Sequence, residues 1–348
     1  MPRSRHPGTP VRRPTPYVEL NHVLDALLKG VRERLADNFV GLYLQGSFAI
    51  GDADEASDCD FIAVTRRDLT DEEIAVLQAM HGAIHELPHP AWRGHLEGSY
   101  VPADILRRWS TTPRDPPGAP PRPHDWADPG LGGAPPRAYP LVYLDHGART
   151  LVRSEHDNTQ VVRWTLRERG VVLAGPDPRT LIDFVSAADL RAEVRPAMDL
   201  ALGLGLEPMT MVAWQAFWVG LYCRMLHTLA TGVVHSKAAG AAWAARTLDP
   251  RWRGLIERAQ ASRHGDQAAR VAPPDPAEVE QTRAFAVWAV EHADRTAKSR
   301  EAMERVLEAR RQGAKGPHGG PTAAAVLGPR PGRFASNPIR PGGRGRRG

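Results

Sequence analysis

Apolar residues recur at helical spacing from Val23 through Leu24, Leu27, Leu28 and Val31 to Leu35. That pattern predicts an amphipathic helix, with Asn21 as its cap. The apolar run "FVGLYLQ" that follows reads as a strand, which Gly46-Ser47 breaks and turns into a short helix. "DFIAV" is a second strand. Thr70 and Glu73 have the spacing of a capping box, opening a helix that runs to about Leu87. "GHLEGSYVP" is a third strand, with Glu97 in its middle. Helices interleaved with strands predict an α/β N-terminal domain over residues 17–110, built on a small mixed sheet.

Residues 111–140 hold ten prolines, which predicts a long extended loop, either disordered or functional. Beyond it, "PLVYLDHGARTLV" has the form of a hairpin turning near His146-Gly147. "NTQVVRWTLRERG" is a short helix ended by Gly170, and "VVLAGPDP" is an apolar run closed by a turn. From Ser186 the pattern is helical, over about 186–204, 209–230, 236–247, 251–263 and 277–311. The segment 141–311 is therefore predicted to be a mainly helical C-terminal domain, an all-α bundle. Trp214, Phe217, Trp218 and Tyr222 fall at core spacing on its second helix. Gly203-Leu204-Gly205 follows a helix rather than a strand, so it is no dinucleotide loop.

Charge changes this picture at the ends. The formal charge is +5, but the tail from Arg311 holds eight Lys/Arg and no acid, and the first sixteen residues hold four Arg and no acid. The stretch between is left at −7. The arm (1–16) and tail (312–348) therefore read as disordered, solvated basic extensions, with weak contact to nucleic acid as the other reading. Two cysteines make no disulfide framework. The chain has no 18-residue apolar run and its basic N-terminus has no apolar core, so neither a membrane span nor a secretory signal is expected. A cytoplasmic protein is the expectation.

The chemistry concentrates in "GSFAIGDADEASDCDFIAV", Gly46 to Val64. Asp58 and Asp60 stand two apart. On a strand that puts both carboxylates on one face, with Cys59 between them turned away and buried. Such a pair repels unless a cation joins it. Mg²⁺ suits the position, because it binds one or two carboxylates and fills its shell with water and phosphate oxygens. Glu97 on the next strand can be a third ligand or the general base for an incoming hydroxyl. Gly46-Ser47, at a strand end that opens a helix, offers bare amides and a hydroxyl to a triphosphate. Together these residues describe metal-assisted nucleotidyl transfer. Other candidates are weaker. His85, His89 and His95 lack zinc spacing. Glu155, His156 and Asp157 read as helix capping and surface charge, or Glu155 or Asp157 as a contact to a cationic substrate.

The Gly46–Val64 stretch resembles the nucleotidyltransferase signature of the polymerase-beta-like superfamily. Its spacing resembles that of the aminoglycoside adenylyltransferases of the streptomycin/spectinomycin type. "LEGSY" around Glu97 resembles the strand on which those enzymes carry their base. "RMLHTLATGVVHSKAAGAAW", Arg224 to Trp243, resembles a helix–loop–helix of their C-terminal domain.

The resemblance implies a two-domain antibiotic-resistance enzyme that uses ATP and Mg²⁺ to transfer AMP to a hydroxyl of a small molecule, an aminoglycoside in the family. It implies that Gly46, Ser47, Ser57 and Lys237 bind the nucleotide, that Asp58 and Asp60 bind metal together with Glu97, and that Glu97 acts as base. The chain departs from the family where acidic residues are expected near Trp214 and Gln215, and where a tyrosine is expected within "LIERAQASRHG". The other readings are transfer to a different metabolite or to a protein side chain, or a non-catalytic nucleotide- or nucleic-acid-binding module.

Overall fold

The computed structural model describes residues 13–55, 57–108, 141–203, 209–263 and 265–313. The proline-rich segment 111–140, most of the basic arm, Leu204-Gly205 and the tail beyond Gly313 lie outside the described residues. The chain divides into two compact units, Met1–Ala297 and Lys298–Gly348. The described part of the second is the end of the last helix.

Helix α1 (Val18–Leu35) leads into β1 (Phe39–Leu44), and the short α2 (Gly46–Ile50) follows at once. Then come β2 (Cys59–Thr65), α3 (Asp71–His85), β3 (Leu96–Pro102) and α4 (Ala103–Arg107). After the undescribed loop, β4 (Leu141–Leu144) and β5 (Leu151–Ser154) form the expected hairpin. They are followed by α5 (Gln160–Arg169), β6 (Val171–Ala174) and α6 (Pro178–Leu181).

The six strands make one mixed sheet in the order β5-β4-β3-β2-β1-β6. Only β2 and β3 are parallel, and α3 supplies the crossover that a parallel pair requires. Period-two alternation sorts the side chains onto two faces. Leu42, Leu44, Phe61 and Ala63 pack under α1 and α3. Tyr43, Ile62, Val64 and Val101 pack on the opposite side with Leu106 of α4, Leu166 of α5 and Ile182. The sheet is thus a middle layer between helices.

Because β4, β5 and β6 belong to this sheet, the α/β layer reaches Ala174, beyond the boundary expected at 141. The sequence pattern misplaced it because these strands are only four residues long and pair with partners across a long insertion.

The helical part is α7 (Ala187–Gly203), α8 (Val212–Thr231), α9 (Lys237–Thr247), α10 (Arg253–Arg263), the short α11 (Gln267–Val271) and α12 (Pro276–Gly313). Trp218, Tyr222, Leu255, Ile256 and Phe285 form its core. Trp214 instead keeps 44% of its surface.

Two local devices bear on the sequence reading. Thr70 accepts from the Glu73 amide while Glu73 accepts from the Thr70 amide, so the capping box forms. Asn21 is not a cap. The helix starts one turn earlier, and the buried Asn21 amide instead ties down Thr15 by accepting from its backbone N–H and donating to its carbonyl. No described helix is long and apolar enough to cross a membrane.

Candidate active site

The site lies at one end of the sheet, where β1 gives way to α2 and β2 begins. Asp60 and Glu97 are direct partners in the parallel β2–β3 register, so both carboxylates stand on the face that carries Ile62 and Val101. Asp58 precedes β2 by one residue. Gln45 N–H donates to the Asp60 carbonyl at 2.9 Å, which closes the α2 turn over the start of β2. Ser47 Oγ donates to the Asp58 carbonyl at 3.4 Å.

Gly46 is at φ +57°, in the left-handed region, and a methyl group on it would overlap Asp60 Oδ2. The glycine is needed both for its backbone conformation and for the carboxylate pressed against it. Ser57 is tied into its own loop. Its Oγ accepts from the Asp54 amide at 2.9 Å and donates to Asp54 Oδ1 at 3.0 Å.

Each carboxylate has its own environment. Asp58 Oδ1 meets His146 Nδ1 at 2.6 Å. Burial works against it, but that hydrogen bond and charge, with Lys237 and His95 beyond, hold the Asp58 carboxyl below its ordinary pKa. Glu97 Oε1 accepts from Tyr143 OH at 2.7 Å and lies 3.4 Å from His156 Nε2. The Tyr143 and His156 rings stack at 4.5 Å, and burial followed by the Glu97 charge keeps the Tyr143 phenol protonated. Asp60 is driven the other way. Burial, then the charges of Glu97, Asp157 and Asp58, push its carboxyl up to about 8. Asp157 is buried and accepts from Ser99 Oγ at 2.6 Å and Gln45 Nε2 at 3.2 Å. Its role is internal to the sheet end, which removes it as a contact for a cationic substrate.

Opposite the carboxylates stands a cationic group from the helical part. Lys237 is the first residue of α9, after the Ser236 cap. Its ammonium lies 4.5 Å from the centre of the Phe217 ring. Burial, then the charges of Arg224 and Arg263, bring the lysine down to about 8, while Asp58 and Asp60 pull it upward. Burial likewise lowers Arg224, and Asp60 opposes it. Gly240 lets α9 lie directly on the backbone of Arg224. The Ala238 amide, at the start of α9, points to Asp52 Oδ2 at 3.4 Å. The charges of Asp58 and Asp60 therefore act on Lys237. Arg224, Arg263, His146, Tyr143 and His156 join a site in which the sequence reading had not placed them.

The donor set fits a divalent cation. Three carboxylates crowd one another, and burial with that crowding holds a proton on Asp60 up to about 8 against the opposing charge of Lys237. A hard cation with oxygen ligands is the species that would let all three ionise.

Residues 181–288 match the family described as aminoglycoside adenylyltransferase, C-terminal domain. The match lies within the helical part of the chain. Among solved structures its fold is similar to that of spectinomycin adenyltransferase AAD(9) from Enterococcus faecialis, solved with ATP and spectinomycin. The TM-score is 0.56 at 14% identity, over 78% of this chain and 98% of that one. The likeness spans the sheet as well as the helical part and is one of fold. Among curated proteins, no sequence matches.

Two family departures now have a structural setting. Gln215 is buried and donates to Thr282 Oγ1 at 2.8 Å, so it serves the bundle core. The segment without a tyrosine ends α10 with Arg263, whose charge acts on Lys237 and Arg224.

Proposed function

We propose that this protein transfers AMP from ATP to a hydroxyl of an aminoglycoside, with Mg²⁺ as the metal. The observation that carries the reading is the opposition of the Asp58, Asp60 and Glu97 carboxylates to Lys237 and Arg224. Carboxylates on one side and cations on the other make a slot for a metal–triphosphate. The family match and a similar structure holding ATP and spectinomycin support the donor and the acceptor class.

In this reading Asp58 and Asp60 hold the metal, with Glu97 at its edge. When bound, Mg²⁺ neutralises the phosphates and orients the α-phosphate for in-line attack. Gly46 and Ser47, opening α2, bind phosphate oxygens through the turn, and Lys237 and Arg224 hold the β- and γ-phosphates. Ser57 acts through the loop, fixing Asp54 and the approach to Asp58. Glu97 takes the proton of the acceptor hydroxyl. The freed oxygen bonds to the α-phosphorus, the bond to the bridging oxygen breaks, and pyrophosphate leaves. Tyr143 and His156 occupy the Oε1 side of Glu97, which leaves Oε2 for that proton. Consumption of ATP and two buried free thiols support action in the cytoplasm.

The test is ATP-dependent pyrophosphate release with Mg²⁺, across spectinomycin, streptomycin and other aminoglycosides, with Asp60→Asn alongside. Release with one compound, absent in the variant, is the expected result. Mg²⁺-dependent ATP binding without release would move the acceptor to another metabolite or a protein. No ATP binding would overturn the site.

A further inference from the structure

Resting on that reading of the carboxylate site, we propose that His146 is an inner-shell ligand of the catalytic metal, so that the site binds Mn²⁺ more tightly than the Mg²⁺ that the proposed reaction uses. Among the described residues, Asp58, Glu97 and His146 bring one ligand atom each within 4.8 Å of one another. Asp60 is not part of that triad. The imidazole is therefore as well placed for a shared cation as the two carboxylates beside it.

The hairpin fixes this placement. His146 sits in the turn between β4 and β5. The Ala148 amide closes the turn onto the Asp145 carbonyl at 3.0 Å, and Gly147 takes φ +70°. Asp145 Oδ1 accepts from the His146 amide at 2.9 Å and faces Tyr143 OH at 3.1 Å, which ties the turn to the strand that supports Glu97. The His146 ring meets His95 edge-on, with centroids 5.2 Å apart, and His95 Nδ1 is hydrogen-bonded to the Ser57 carbonyl at 3.0 Å. The imidazole is thus held from the hairpin side and from the Asp58 loop.

His146 Nδ1 and Asp58 Oδ1 are 2.6 Å apart. Adjacent ligands of an octahedral ion with bonds of ~2.1 Å are separated by roughly 3 Å. Replacing the shared proton with a cation needs only a small opening of this pair. The chemical consequence follows from ligand type. Mg²⁺ takes oxygen ligands almost exclusively, whereas an imidazole nitrogen favours Mn²⁺ and the later divalent ions. A site of two carboxylates and one imidazole should discriminate against Mg²⁺.

The experiment uses the full chain and metal alone. Mn²⁺ binding is measured by electron paramagnetic resonance, with nitrogen coupling to the bound ion read by electron spin-echo modulation. His146→Ala, His146→Gln and Asp58→Asn are compared with wild type. Expected is histidine-nitrogen coupling in wild type, at least ~10-fold tighter binding of Mn²⁺ than of Mg²⁺, and loss of both in each His146 variant. His146 is half exposed on a turn, and circular dichroism checks that the variants fold. Mn²⁺ that binds in an Asp58-dependent way, without nitrogen coupling or with coupling that survives in both His146 variants, overturns the inference and leaves the carboxylate site intact. Wild type that fails to bind Mn²⁺, or binds it equally well in Asp58→Asn, overturns both.

Discussion

The carboxylate of Asp60 rests against the Cα of Gly46, at the one place in the α2 turn where a side chain would collide with it. A strand residue and a turn residue fourteen positions apart therefore set each other's geometry. Gly46→Ala should displace Asp60 and also strain a φ of +57°, a cost of about 1–2 kcal/mol. Pyrophosphate release should fall by about 100-fold or more, as expected when a catalytic group is misplaced by an ångström or so. Gly51→Ala is the matched comparison. Gly51 is at φ +75° but has open space where a Cβ would lie. It should lose a similar amount of stability and keep most of its activity. Equal activity in the two variants would mean that the Gly46 contact does not position Asp60.

Stability of the metal-free protein should depend on Asp60 and pH in a definite direction. Burial and three neighbouring carboxylates raise the folded carboxyl to about 8, against 3.8 as its ordinary value. Between these values the folded chain keeps a proton that the unfolded chain releases. The stabilising contribution is present at acid pH and is lost as pH rises through about 8. Melting temperature of the metal-free wild type should fall from pH 5 toward 8.5 relative to Asp60→Asn. Each kcal/mol corresponds to ~2–4 °C in a large domain. Lys237, brought down from 10.5 to about 8, has the opposite sign, and its burial is relieved above that pH. Divalent metal at pH 8 should restore the wild type and leave the variant unchanged. Parallel melting curves for the two proteins across this range would contradict the crowding of Asp60.

The parts of the site that were legible in the sequence are those carried by one continuous run. Gly46, Ser47, Asp58 and Asp60 announce themselves by local spacing, and Glu97 by being a carboxylate within an apolar strand. Tyr143 was illegible because its link to Glu97 arises from the β3–β4 register, across the long insertion. His146 and His156 were visible as residues, but nothing in their spacing shows that they turn toward Asp58 and Glu97. Asp157 looked like a helix cap and is a buried acceptor for Ser99 and Gln45. The helices of the bundle were legible nearly to the residue, because their apolar periodicity is long. Four-residue strands carry too little pattern to reveal which sheet they join.

The contact between Tyr143 and Glu97 predicts how the proton acceptor is held. Glu97→Gln removes the proposed base, and turnover should drop by about 10²–10⁴-fold with ATP binding nearly unchanged. Tyr143→Phe removes only the donation to Oε1. A hydrogen bond to a charged group contributes about 1.5–3 kcal/mol, so turnover should fall by roughly 10-fold or somewhat more. His156, at 3.4 Å on the same oxygen, limits the loss. Steady-state kinetics with ATP and the acceptor varied separately would show the change in kcat. A pure KM effect in Tyr143→Phe would assign the tyrosine to acceptor binding instead.

Lys237 should be costly to the empty protein and valuable to the loaded one. The half-buried lysine is opposed by the charges of Arg224 and Arg263, and the carboxylates only partly compensate. A like-charge group of this kind destabilises unless a strong anion enters. Lys237→Met should therefore raise the melting temperature of the nucleotide-free chain. The methionine can set its thioether over the Phe217 ring where the ammonium now lies. The same substitution removes a charged contact to the triphosphate. ATP affinity should weaken by about 10–100-fold, from the 1.5–3 kcal/mol of such a bond. Arg224→Met should behave alike, because burial lowers the guanidinium pKa and the Asp60 charge opposes it. Calorimetric ATP titration and melting curves on the same samples give both readings. The opposed signs distinguish a phosphate-binding lysine from a structural one, whose loss would lower stability and leave ATP affinity unchanged.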